Sequence, residues 1–245
     1  MGQFLNNKEP YDKYKTVMNG TFFVDKTEIL KELIPALQQE QRFFCITRPR
    51  RFGKTLLIST LEAYFQGKKE LFEGLAMEKL EKDWIRYPVL HLDLNIEKYD
   101  TPESLDKILD SSLTAWEKIY GAEPSERSFS LRFAGIIQRA CEKTGRRVAI
   151  LVDEYDKPML QAIGNEALQK QFRDTLQPFY GALKTKDGFI KFALLTGVTK
   201  FGKISVFSDL NNLKDISMDE RFVDICGVTE TEIHENLENE LKELA

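Results

Sequence analysis

The tripeptide Gly53-Lys54-Thr55 closes the pattern G-x-x-x-x-G-K-[ST]. In that pattern successive backbone N–H groups surround phosphate, the lysine reaches the β- and γ-oxygens, and the hydroxyl holds Mg²⁺. The whole stretch is TRPRRFGKT, Thr47 to Thr55, and Arg48 occupies the place of the first glycine. A side chain there requires negative φ, because only glycine enters the left-handed region without strain. Pro49 stiffens the turn, while Arg48, Arg50 and Arg51 add positive charge where a triphosphate would lie. Phe52, Gly53, Lys54, Thr55 and Leu56 complete the candidate binding stretch. Taken alone, the same residues also describe a basic surface loop ahead of an ordinary helix.

A second group of residues carries the complementary charge. The apolar run RVAILVDE, Arg147 to Glu154, ends in two acids. ATP hydrolysis on a phosphate loop needs a carboxylate at a neighbouring strand end to hold Mg²⁺ through its water shell, and many such sites add a glutamate that orients the attacking water. Asp153 suits the metal role beside Thr55, and Glu154 the water role. Thr196, ending FALLTG, places a hydroxyl where it could bond the γ-phosphate or the water. Phe201-Gly202-Lys203 echoes Phe52-Gly53-Lys54, but Ile204 replaces the hydroxyl residue, so it reads as a loop beside the site, with Lys200 and Lys203 facing solvent or phosphate. Asp93 reads as a strand-end acid and Asp156-Lys157-Pro158 as the start of a turn, its place just beyond the acidic pair leaving a site role open. His91 and His234 are isolated: the first reads as a strand residue, the second as a solvated helix residue.

The elements that must position these groups follow from hydrophobic spacing. Phe43 to Ile46 is an apolar run of strand length, and Thr55 to Phe65 reads as a helix. VLHLDLN, Val89 to Asn95, reads as a strand, and Pro102 opens a helix through Trp116. Phe129 to Cys141 reads as a helix stopped by Gly145, followed by the strand Arg147 to Glu154. A helix around Leu168 to Leu183 and a turn at Lys186-Asp187-Gly188 lead into the strand Phe189 to Gly197. Gly202 to Asp219 reads as loop, with a fifth strand expected near Phe222 to Cys226. Thr229 and Glu232 form a capping box before a helix carrying Ile233, Leu237, Leu241 and Leu244. Continuous apolar runs fit strands covered on both faces, and their alternation with helices implies an α/β fold with a doubly wound, mostly parallel sheet.

Composition narrows the function classes. With 245 residues, 42% hydrophobic and 30% charged, the chain can bury a sizeable core. A net charge of -4 gives no global attraction to nucleic acid, which leaves the arginine-rich loop as the one local candidate. Cys45, Cys141 and Cys226 are odd in number and far apart, which argues against disulfides or zinc and for a cytoplasmic protein. No signal segment or membrane-spanning run is visible.

With these residues placed, the sequence resembles the AAA-ATPase-like family of bacterial proteins. The strings that carry the resemblance are FFVDKTEIL (Phe22 to Leu30), FFCITRPRRFGKTLLISTLEAYF (Phe43 to Phe65), VAILVDEYDKPML (Val148 to Leu160), FIKFALLTGVTKFGKISVFSDLNNLKDIS (Phe189 to Ser217) and CGVTETEI (Cys226 to Ile233). An arginine-rich loop without the first glycine is normal in that family. The resemblance implies a P-loop NTPase fold with an additional strand between the phosphate loop and the acidic strand. By carry-over it implies phosphate and Mg²⁺ roles for Lys54 and Thr55, the acidic pair for Asp153 and Glu154, and the polar sensor position for Thr196.

Family members are usually longer, with a lid and often a C-terminal domain resembling PD-(D/E)XK nucleases. The resemblance therefore implies a core at 1–228, in which 1–42 is an N-terminal extension and helix packed on it, and a first lid helix at 229–245. The only [DE]-x-K string near the end, Glu240-Leu241-Lys242, has no preceding strand, which argues against nuclease activity. The leading expectation is Mg²⁺-dependent ATP binding, with hydrolysis coupled to a protein partner or appended domain. The alternative is a non-catalytic module of the same shape, holding nucleic-acid phosphate or an acidic protein through Arg48, Arg50 and Arg51. A phosphotransferase is disfavoured, because no acceptor-binding signature accompanies the acidic pair.

Overall fold

The computed structural model describes residues 12–18, 23–30, 32–33, 41–199, 206–207, 210 and 212–236. Five strands lie in one sheet: β1 (Phe43–Thr47), β2 (Val89–Asp93), β3 (Val148–Asp153), β4 (Ile190–Gly197) and β5 (Leu213–Asp215). Eight α-helices accompany them among the described residues: α1 (Asp12–Met18), α2 (Lys54–Phe65), α3 (Ala76–Leu80), α4 (Pro102–Tyr120), α5 (Phe129–Thr144), α6 (Lys157–Gln161), α7 (Glu166–Thr185) and α8 (Glu230–Asn236). The strand order is β2-β3-β4-β1-β5, and every pairing is parallel. β4 thus lies between β1, which precedes the arginine-rich loop, and β3, which ends in the acids.

Parallel strands need both faces covered, and the burial reflects it: β3 is buried at all six positions. Side chains alternate across the sheet. Phe43 and Cys45 join one apolar cluster with Leu90, Ile150 and Val152, under α4, α5 and α7. Phe44 and Ile46 join the other, with Ala149, Leu151, Phe192, α2 and the N-terminal segment. Helix ends follow local chemistry. The Ser128 hydroxyl accepts from the Leu131 N–H at 3.3 Å, Asn165 Oδ1 accepts from the Leu168 N–H at 3.1 Å, and Gly145 takes the left-handed conformation that ends α5 (φ 65°).

The fifth strand is not where the sequence pattern put it. Strand β5 occupies Leu213–Asp215 beside β1, whereas Glu220–Phe222 is a 3₁₀ turn capped by Asp219. Phe222, Ile225 and Cys226 are buried. Their i, i+3, i+4 spacing is that of a helical face and does not alternate. The capping box is present: the Glu232 carboxylate accepts from the Thr229 N–H at 2.7 Å, and the Thr229 hydroxyl accepts from the Glu232 N–H at 3.2 Å. Leu237, Leu241, Leu244, Lys200 and Phe201-Gly202-Lys203 lie outside the described residues.

Candidate functional site

In parallel sheets, sites form at the carboxyl ends of the strands. The register brings those ends level here: Ile46 pairs with Thr196, Thr47 with Gly197, and Asp93 with Asp153. The loop 48–53 leaves this edge and enters α2 at Lys54. Arg48 is not among the residues with positive φ; that conformation falls on Arg51 (68°) and Gly53 (81°). Gly53 is the residue immediately before α2, so glycine is retained where the turn into the helix demands it.

Lys54 is buried (4% exposed), and its ammonium has three partners. It donates to the carbonyls of Arg48 and Pro49, both at 3.1 Å, and pairs with the Glu154 carboxylate at 3.1 Å. The ammonium therefore sits inside the curve of the loop and against the acidic pair. Arg50, Arg51 and Phe52 are exposed. Arg48 behaves differently from its neighbours. Its guanidinium donates to the carbonyls of Ser217 (2.7 Å) and Phe222 (3.0 Å), with longer contacts to Thr47 (3.1 Å) and Val223 (3.4 Å).

Asp153 is fully buried and bridges two elements. One carboxylate oxygen accepts from the Thr55 hydroxyl at 2.7 Å, the other from the Thr196 hydroxyl at 2.5 Å. Thr196, also fully buried, accepts in turn from the Glu154 N–H at 3.4 Å. Glu154 has φ 56°, a left-handed conformation that a residue with a side chain adopts at a cost of about 1–3 kcal/mol. Burial pushes its carboxyl above the usual range, against the opposing charge of Lys54. The Thr55 hydroxyl and Asp153 carboxylate form a hard-oxygen pair suited to Mg²⁺ completed by phosphate and water. Among the described residues, no group of three or more His, Cys, Asp or Glu is placed to hold a metal by itself.

A supporting layer lies behind the pair. The buried Asp156 accepts from the Val198 N–H at 3.0 and 3.1 Å, and from the Thr199 N–H (2.6 Å) and hydroxyl (3.1 Å). Burial raises its carboxyl pKa, and those hydrogen bonds oppose the rise. The Tyr155 hydroxyl donates to the Thr199 carbonyl at 3.0 Å. Gly197 leaves no room for a side chain: a Cβ there would lie 2.6 Å from the Tyr155 ring and 2.8 Å from Asp156.

A family model described as predicted AAA-ATPase matches residues 11–207, four-fifths of the chain and all of the site except the Ser217–Val223 carbonyls. The chain belongs to the AAA-ATPase-like family. It is also 39% identical over 213 residues to a protein of Azotobacter chroococcum mcd 1 named "Uncharacterized protein in vnfD 5'region". That match covers 86% of this chain, which spans 40% of the relative's length.

Within this AAA-ATPase-like chain the structure brings Lys54, Thr55, Asp153, Glu154 and Thr196 together, as their sequence positions suggested. It places Arg48 against the segment after β5. Tyr155 and Ser217 were not singled out from sequence as parts of the site, and Asp156 reads there first as the start of a turn, with a site role left open by its place just beyond the acidic pair. The string DEYDKP carried Tyr155 and Asp156, but nothing in it says that Asp156 reaches across to the strand end of β4. Membership in the family makes ATP binding the coarse functional expectation. Among the described residues, no helix is long and apolar enough to cross a membrane.

Proposed function

We propose that the chain is a Mg²⁺-dependent ATP-binding module of P-loop NTPase fold that hydrolyses ATP and passes the change to a partner or appended domain. The observation that carries this reading is the convergence of Lys54, Thr55, Asp153 and Glu154 on one edge of the sheet, through contacts of 2.7 to 3.1 Å. In this reading Lys54 exchanges its loop carbonyls for β- and γ-phosphate oxygens, and the N–H groups at the start of α2 point at the same phosphates. Thr55 and Asp153 would hold Mg²⁺, which when bound neutralises charge on the phosphates. Glu154, released from Lys54, orients water for in-line attack on the γ-phosphorus. Thr196 sets the positions of both acids through its two hydrogen bonds. Arg50 and Arg51 would lie exposed beside the phosphates, with Pro49 and Phe52 shaping the loop and Leu56 in the first turn of α2.

Glu154→Gln tests the division of labour. The variant is expected to retain Mg²⁺-ATP binding within about threefold and to lose hydrolysis by about 10²-fold or more. Parallel loss of binding and turnover would make Glu154 a structural partner of Lys54 and end its assignment to water.

The alternative, an arginine-loop scaffold for nucleic-acid phosphate, draws on the exposure of Arg50 and Arg51. It loses one of its three arginines, because the Arg48 guanidinium is engaged by backbone carbonyls. Binding of that kind would fall steeply with salt and ignore Mg²⁺.

A further inference from the structure

A cleft with a cavity volume of about 210 Å³ opens beside the phosphate loop. Arg51, Phe52 and Gly53 belong to both. The rest of the cleft is built from separated parts of the chain: Val24 in the N-terminal segment, Leu56 and Leu57 on α2, and Ile225 and Val228 ahead of α8. Its lining is predominantly apolar. In its wall Gly227 has φ 88°, and a Cβ there would lie 3.2 Å from the Phe52 ring, so glycine keeps the two sides in contact. Arg48 fixes this geometry, because its guanidinium ties the loop to the Ser217–Val223 backbone that leads into the Ile225–Val228 wall.

One residue that lines the cleft carries a buried polar group without a partner among the described residues. Tyr14 on α1 lines it, is 1% exposed, and its hydroxyl has no hydrogen bond among the described residues. Leaving a buried hydroxyl unpaired is unfavourable, and a ligand group that bonds to it recovers that cost. The ring is held by its neighbours, Phe23 at 6.2 Å and Phe72 at 5.3 Å between centroids, and by the Tyr14 N–H donating to the Ser59 hydroxyl at 3.2 Å. Burial, with the Asp25 charge beside it, pushes the phenol pKa up, so it stays a protonated donor. Burial likewise raises the Cys226 thiol to about 11, and it enters the cleft as an uncharged group.

We propose that this cleft seats the flat heteroaromatic base of a nucleoside triphosphate whose phosphates occupy the adjoining loop, with the Tyr14 hydroxyl bonded to the edge of that base. The proposal rests on the phosphate-loop reading and adds to it the residues that recognise the non-phosphate half. An apolar slot continuous with an anion-binding loop matches the two ends of such a ligand, and it matches neither a free phosphate nor a polyanionic backbone. Tyr14 is then a specificity-determining residue supplied from outside the phosphate loop.

The test compares Mg²⁺-ATP with Mg²⁺-tripolyphosphate, which has the phosphates and no base, by calorimetric titration of the whole chain. Three proteins are used: the wild type, Tyr14→Phe and the cleft-filling Val24→Trp, each checked for an unchanged far-UV spectrum. The wild type is expected to bind ATP about tenfold or more tightly than tripolyphosphate. Tyr14→Phe should weaken ATP by roughly three- to tenfold and leave tripolyphosphate unchanged. Val24→Trp should bring the two ligands to equal affinity. Equal affinity in the wild type, or a Tyr14→Phe loss that falls on both ligands alike, overturns the cleft assignment while leaving the phosphate loop standing. Failure of the folded wild type to bind either ligand overturns the phosphate reading, and this proposal with it.

Discussion

A charge buried as deeply as that of Lys54 must find acceptors. The two loop carbonyls and the Glu154 carboxylate satisfy it at the centre of the site. The convergence of Lys54, Thr55, Asp153 and Glu154 was legible because each is a residue type with a fixed offset from a strand end; the roles proposed for them rest on that placement. The partner of His91 was not, since it comes from another element: His91 Nδ1 lies 2.9 Å from the buried Glu62 carboxylate on α2. Burial works against the charged imidazole; the Glu62 hydrogen bond and charge, with Asp93 and Asp153 further off, outweigh it and raise the pKa. A histidine with a raised folded pKa contributes stability that is full below its unfolded value of about 6.5 and is lost as pH rises through the folded value. The thermal midpoint of the wild type should therefore fall more than that of His91→Gln between about pH 6 and about pH 8.5. Parallel midpoint curves would mean that the His91 imidazole gains no charge on folding over that range.

Among the elements, the apolar runs that became β1, β3 and β4 could be read directly, because strands covered on both faces must be apolar; β2 was legible from its alternation, with Leu90 and Leu92 buried and its other positions part-exposed. Strand β5 could not be read, because three residues, Leu213–Asp215, are too few to show a period. Its neighbour Phe222 to Cys226 is apolar enough to be mistaken for it. The same distance in sequence hid the role of Arg48, whose acceptors lie 169 to 175 residues away. The missing first glycine thus has a physical account: the backbone stays at negative φ, and the side chain staples the loop to the segment after β5. Arg48→Ala should cost about 2 kcal/mol by removing charged donors from part-buried carbonyls, a drop of roughly 4–8 °C in midpoint. Arg48→Lys should recover little of it, since a single ammonium cannot reproduce the fork. Full recovery by lysine in a thermal melt would refute the staple.

At the scale of the whole molecule, the sheet separates two apolar clusters, one under α4, α5 and α7 and the other under α2 and the N-terminal segment. The site sits on the rim between them. Lys26, from the N-terminal segment, pairs with Glu232 of α8 at 2.6 Å, so the first and last described parts of the chain meet beside the phosphate loop. The net charge of -4 gives no global attraction to nucleic acid and leaves the arginine-rich loop as the local candidate. In that loop Lys54 is buried and the Arg48 guanidinium is engaged by backbone carbonyls.

A metal-dependent nucleotide site whose charge is supplied by Lys54 is best examined by calorimetric titration of ATP into the wild type and Lys54→Ala, with Mg²⁺ and with a chelator. The wild type should show saturable binding that weakens by about tenfold or more without the metal and vanishes in the variant. Equal binding by wild type and Lys54→Ala, or binding indifferent to Mg²⁺ and abolished by moderate salt, would contradict it.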